Sequence, residues 1–259
     1  MKLMVNHQTH YHYSEWSLNS VQYIKMTPQS SAHQQVLDWN IQVPGVSVTK
    51  RDAFDNIWIS SQQRYAYQQL SIMAQGTIVI NPDAEIGVAS RIQPQIFLQP
   101  TMLTQCNAEM LEFAWHYVTQ RSRNCLIELA QALLAYIPYV PNITTVHTSA
   151  IDAFMHRQGV CQDHSHVFIA MCRALGLPAR YVSGYLYVPE TLHLASHAWA
   201  EVFLDHSWYC FDVSNQLFTP GSHIYVALGR DYFDVAPIRG VREKGGIEQM
   251  DSTVQVLRC

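Results

Sequence analysis

Apolar and polar residues alternate from the start of the chain, where Leu3 and Val5 share one face and their neighbours take the other. Val21 with Tyr23, and Ile41 with Val43, repeat this two-residue period, and Thr77-Ile78-Val79-Ile80 is a β-branched run; each predicts a strand. Turn-forming residues separate the runs at Thr27-Pro28-Gln29-Ser30, Pro44-Gly45 and Asp55-Asn56, so residues 1–80 are expected to form an antiparallel β module. Asn81-Pro82-Asp83 ends the last run. Residues 81–103 have no clean period and contain Pro94 and Pro100, which predicts a connector.

The period then becomes helical. Leu111, Trp115 and Val118 recur at i, i+4 and i+7, and Leu126, Leu129, Leu133, Leu134 and Ile137 mark a second helix that Pro138 and Pro141 stop. Thr148 is the expected N-cap of a short helix carrying Ile151 and Phe154, which Gly159 breaks. A fourth helix is expected from Cys161, with Val167, Phe168, Met171, Ala174 and Leu175 on one face and Gly176 and Pro178 past its end. Strands return at residues 179–186, 197–204 and 208–213, the last two joined by a tight turn at Asp205-His206-Ser207, and again near 224–228 and 253–257. The chain therefore reads as α+β: a β module over 1–80, a connector over 81–103, and a domain over 104–259 in which helices pack on an antiparallel sheet.

Composition narrows the function classes. Hydrophobic residues make up 48% of the 259 and charged ones only 14%, the balance of a packed globular protein and not of a disordered segment. The formal charge is −4 and no block of like charge occurs, so nucleic acid is not an expected partner. The first residues are too polar for a secretory signal, and the apolar runs are too short for a membrane span. A cytoplasmic location is expected, with the six scattered cysteines as free thiols and not disulfides. No CxxC pair suggests zinc.

One cysteine differs from the rest. Cys161 falls at the first turn of a predicted helix, in Gly159-Val160-Cys161-Gln162-Asp163, where unpaired backbone N–H groups and the helix dipole favour a thiolate. Gly159 is expected to let the chain turn sharply and expose the sulfur. A thiolate nucleophile needs an imidazole beside it, and the imidazole needs an acceptor to fix its tautomer. His197 opens one predicted strand and Asp212 closes the next. A hairpin turning at 205–207 pairs residues whose numbers sum to about 410, a register good to about two residues that brings Asp212 close to His197. The three would form a Cys-His-Asp set.

These stretches, together with Gly176-Leu177-Pro178-Ala179-Arg180-Tyr181-Val182-Ser183-Gly184-Tyr185, Ser196-His197-Ala198-Trp199 and Phe211-Asp212-Val213-Ser214-Asn215, closely resemble bacterial transglutaminase-like proteins, which are related to papain-type cysteine proteases. Residues 1–80 resemble the family's β-rich N-terminal domain, and Gly229-Arg230-Asp231-Tyr232 with Asp234-Val235-Ala236-Pro237 is similar to its C-terminal segment. The resemblance implies a transglutaminase-like, papain-like core, with Cys161 as nucleophile, His197 as general base and acid and Asp212 as the orienting carboxylate. It implies attack on a carboxamide through a thioester and no cofactor. The expected substrate is a peptide or small amide, and hydrolysis is favoured because no calcium-loop pattern is present. Acyl transfer from glutamine, and a non-catalytic peptide-binding module, remain alternatives.

Other residues carry weaker expectations. His166, Tyr185, Trp199 and Asn215 are candidates for the substrate cleft. His164 is expected in solvent, and Asp163 is expected to serve the helix start. His10 and His12 share a strand face and would suit an adventitious metal less well than a solvated edge strand. His193 and His197 are spaced by four, but the segment reads as loop into strand, so no metal is expected there. The oligomeric state is left open.

Overall fold

A computed structural model describes residues 1–189 and 196–259. Among these residues the first half of the chain forms strands β1 (Lys2–Ile24), β2 (Gln34–Gln42), β3 (Val46–Arg51), β4 (Ile57–Gln63) and β5 (Tyr67–Ile80). All three sequence-predicted turns fall between them. β1 is long enough to serve two half-sheets: its first half pairs with β5, its second half with β4, and its register slips between His12 and Ser17. A one-turn 3-10 helix, Pro94–Leu98, interrupts the connector.

The helices α1 (Ala108–Tyr117), α2 (Arg123–Tyr136), α3 (Ala150–His156) and α4 (Cys161–Ala174) follow, then β6 (Ala179–Leu186), β7 (His197–Leu204), β8 (Ser207–Phe211), β9 (His223–Gly229), the short α5 (Tyr232–Val235), β10 (Ile238–Lys244) and β11 (Glu248–Arg258). α3 is capped by Ser149 and not by Thr148, because Ser149 accepts from the Asp152 backbone N–H and Asp152 returns the bond in a capping box. Strands β8-β7-β6-β9 form an antiparallel four-stranded sheet.

The 104–259 domain does not hold together as expected. β10 and β11 leave the four-stranded sheet and pair along the free side of β1, so residues 238–258 complete the N-terminal sheet. The alternating pattern predicts a strand near 253–257 but none over 238–244, and nothing local specifies which sheet a strand joins. One result is that His10 and His12, though exposed, lie on a central strand and not an edge.

The four-stranded sheet is covered on both faces. Leu126, Leu129 and Leu133 of α2 and Val167, Phe168 and Met171 of α4 pack with Tyr181, Ala200, Val202 and Phe211 on one side. On the other, Leu3, Val5, Ile78, Ile80, Val254 and Val256 of the N-terminal sheet meet Tyr185, Ile224 and Val226. Each fully buried aliphatic side chain contributes roughly 1.5–3 kcal/mol. α4 is thus a central helix, buried from Asp163 to Arg173.

Candidate active site

Cys161 is the first residue of α4, and Val160 is its N-cap. The turn into the helix is held by Asp163, whose Oδ2 accepts the Val160 backbone N–H at 2.8 Å and the Thr144 hydroxyl at 2.7 Å. Gly159 has a different role from the one expected: a Cβ there would lie 2.7 Å from the Asp163 Cβ, so glycine is needed for close approach of the capping carboxylate. Burial raises the Asp163 pKa, and the two donors oppose that shift. Cys161 itself is only partly buried.

The β7–β8 hairpin turns through Asp205 and His206, both at positive φ, a two-residue turn whose twist suits a hairpin. It pairs Ala200 with Phe211, within the expected register. His197 Nε2 donates to Asp212 Oδ2 at 2.7 Å. That leaves Nδ1 free of Asp212, and Cys161 lies close enough to the ring to act on its charge. Burial alone would depress His197, but the Asp212 carboxylate and the thiol outweigh it and push the imidazole up to about 10. Asp212 is buried, which opposes its ionisation, yet His197 and His223 together hold its carboxyl well below the usual carboxylate range.

Asp212 is crowded with donors. Oδ1 accepts from Ser214 Oγ at 3.0 Å and from the Asn215 backbone N–H at 3.2 Å, while Asn215 Nδ2 donates to Oδ2 at 3.0 Å. His223 Nε2 adds a further bond to Oδ2 at 3.1 Å. Sequence reasoning missed His223: it lies in a strand with no local motif, and only its spacing after Asp212 could have signalled it. Tyr139 was missed too. It is 50% exposed, its backbone bridges to Gly159, and after burial its hydroxyl is shifted upward most by the charge at Cys161.

Of the four cleft candidates, Asn215 lies beside His197 and Asp212 and is exposed. The other three are corrected by the structure. Trp199 is fully buried, stacked on His197 with centroids 5.9 Å apart and planes at 25°; it is a platform under the imidazole and not a wall of the cleft. His166 is fully buried and its Nε2 accepts the Tyr232 backbone N–H at 3.2 Å. Tyr185 lies at the junction with the N-terminal sheet, bonded through its hydroxyl to His7 Nδ1 at 3.0 Å. His164 is buried too, donating from Nε2 to the Ile137 carbonyl at 2.7 Å. The local pattern suggested an exposed face for α4, but helices and sheet cover it all round. His193 lies outside the described residues.

His197, Asp212 and His223 are the one group of three metal-capable side chains among the described residues, with ligand atoms within 4.8 Å of one another. Both imidazole Nε2 atoms donate protons to the carboxylate, so neither has a lone pair there for a cation. The set is a hydrogen-bond network and not a ligand set.

Comparison with known proteins gives the family and the fold. Residues 118–213 match the transglutaminase-like superfamily and residues 3–79 the bacterial transglutaminase-like N-terminal region. The chain belongs to the transglutaminase-like superfamily. An uncharacterized protein of Mycobacterium leprae is 26% identical to this transglutaminase-like chain, over 99% of this chain and 99% of its own. An uncharacterized protein of Mycobacterium tuberculosis is 28% identical over 92% of this chain and 86% of its own. The fold is shared with the crystal structure of "a Putative Cysteine Protease from Cytophaga hutchinsonii", at a TM-score of 0.81 and 20% identity, over 99% of this chain and 90% of that one.

Proposed function

We propose that this transglutaminase-like protein is a cysteine-dependent amide hydrolase that uses Cys161, His197 and Asp212. The observation that carries the reading is His197 bonded to the Asp212 carboxylate at 2.7 Å, with its ring near Cys161 at the start of α4. In that position the imidazole stays protonated at neutral pH, ready to act on the proton of an attacking or departing group.

The Cys161 sulfur attacks the amide carbonyl carbon. The Cys161 backbone N–H, free of an intrahelical partner at the first helical position, is aimed to receive the oxyanion. His197 gives its proton to the departing nitrogen as the C–N bond breaks, leaving a thioester. Water then attacks, His197 takes up its proton, and the sulfur leaves from a carboxylic acid product. Asp212 keeps one tautomer and one ring orientation throughout. The expected substrate is a peptide or small amide, and six free cysteines suit a reducing, cytoplasmic setting.

Hydrolysis is preferred to acyl transfer because Cys161 is only partly buried, so water has access to the thioester. The test is a peptide-amide library incubated with and without a primary amine. Free acid should dominate in both, and Cys161→Ala should abolish turnover. Amine adducts as the main product would assign acyl transfer, and activity surviving in Cys161→Ala would overturn the nucleophile.

A further inference from the structure

His223 is a second imidazole donor to the Asp212 oxygen that His197 uses. It is fully buried in β9, its Nε2 reaches Asp212 Oδ2 at 3.1 Å, and its Nδ1 has no partner. The bond to a carboxylate requires the proton on Nε2, so the bare Nδ1 makes His223 a neutral donor with a fixed tautomer. Its ring lies 4.7 Å from Trp199, and Trp199 in turn stacks on His197. The three rings are mutual neighbours, and the two imidazoles, 6.2 Å apart, share one carboxylate oxygen.

The far end of His223 is held by the N-terminal half of the chain. His33, buried just before β2, donates from Nε2 to the His223 carbonyl at 2.9 Å, and its ring meets Tyr225 edge-on at 5.1 Å. Beside it, Gln34 pairs with both the N–H and the C=O of Tyr225 at 2.8 Å each. The start of β9 is thus clamped by a segment far away in sequence. Hydrogen bonds run from His33 to the His223 carbonyl, from the His223 ring to Asp212, and from His197 to the same carboxylate.

We propose that His223 is a positioning residue for the His197–Asp212 pair, and that the N-terminal sheet keeps it in place through His33. His223 adds an imidazole donor to the carboxylate oxygen that His197 uses and fixes the plane in which Oδ2 faces His197. This gives the β-rich N-terminal domain a part in the chemistry although it supplies none of the three reacting residues. The inference rests on the proposed triad only for its consequence in catalysis; the geometry it concerns is measurable without a substrate.

The charged and titratable groups around this chain of bonds are Asp212 and His197, Glu201 from β7, His33 from the N-terminal side, and Cys161 facing His197. Burial favours the neutral form of His223 and outweighs the pull of Asp212. Without the His223 donor, more of the carboxylate charge falls on His197, and its proton should be held more tightly.

The test uses ring 1H–15N NMR titration of His197 and the pH profile of Cys161 alkylation by iodoacetamide, in the full chain. His223→Gln keeps a donor near the Nε2 position, whereas His223→Asn is too short to reach Oδ2. In the Asn variant the His197 titration and the upper limb of the alkylation profile should both rise by about half a pH unit or more, and in the Gln variant both should stay at wild-type values. His33→Ala should move them part of the way. An Asn variant with an unmoved profile overturns the proposal, as does a Gln variant that behaves like Asn. Far-UV circular dichroism confirms folding; if Asn fails to fold, the Gln and His33→Ala titrations decide by the same criteria. Cys161→Ala turning over amides would remove the triad reading, and the His197 titration would still decide the role of His223.

Discussion

The most specific consequences lie with His197. Its folded pKa lies above the unfolded value near 6.5, pushed up by Asp212 and Cys161 against burial. Its contribution to stability is therefore complete below about pH 6.5 and is lost as pH rises towards about 10. Asp212 behaves in the opposite sense: its carboxyl is depressed, so its contribution is present above about pH 4 and lost as acid protonates it. Urea unfolding of the wild type should show a falling midpoint between pH 7 and pH 10, and Asp212→Asn should flatten that fall because the partner that raises His197 is gone. A variant as steep as wild type would show that the pair does not set the slope. Asp163 makes a second prediction. Removing its carboxylate leaves the Val160 N–H and the Thr144 hydroxyl without their acceptor, so Asp163→Ala should cost about 1–2 kcal/mol in thermal or urea unfolding. It should also slow Cys161 alkylation by loosening the turn that presents the sulfur.

At the scale of elements, the edge of the four-stranded sheet at β9 is closed by side chains instead of a strand. Gln34 bonds both backbone groups of Tyr225, and Asn56 donates to the Leu228 carbonyl at 2.7 Å and accepts its N–H at 2.8 Å. Two amides imitate the ladder that a neighbouring strand would supply, which protects an otherwise open edge. Asn56→Ala should leave the two Leu228 groups unpaired and cost about 1–3 kcal/mol. Asn56→Asp, which can accept but not donate, should cost nearly as much, and calorimetry of both variants checks this. The hairpin β7–β8 was legible in advance because its turn residues and alternating strands lie side by side in the chain. The solvated face expected for α4 was not. His164 at its start looks solvent-facing, yet its partner, the Ile137 carbonyl, comes from a segment that sequence distance hides, as does the Tyr232 N–H that His166 accepts.

Over the whole molecule, the two ends of the chain meet in one sheet. Leu3 and Val5 are fully buried against Val254 and Val256, and the Cys259 backbone N–H donates to the Lys2 carbonyl at 3.1 Å. Deleting residues 238–259 would expose one side of β1 and uncover these side chains, each worth roughly 1.5–3 kcal/mol. The sum is a large share of a typical stability of about 5–15 kcal/mol. The shortened protein should aggregate or lose cooperative melting, as size-exclusion chromatography and calorimetry would report; a soluble, cooperatively melting product would show that the N-terminal sheet stands without its last strands.

Local pattern was enough for an antiparallel β module in residues 1–80, though not for β3 and β4 within it, and for the four helices and the helix start at Cys161. It also carried His197 and Asp212, because a short hairpin fixes their separation. These features depend on residues near one another in the chain, where period and turn chemistry act directly. Only the tertiary structure decided which sheet β10 and β11 join, that α4 is covered on every side, that Trp199, His166 and Tyr185 are packing residues, and that His223 and His33 stand behind Asp212. Each of these depends on contacts between distant segments, and such contacts are selected by the total burial and hydrogen bonding of the folded chain and not by the neighbours of any one residue.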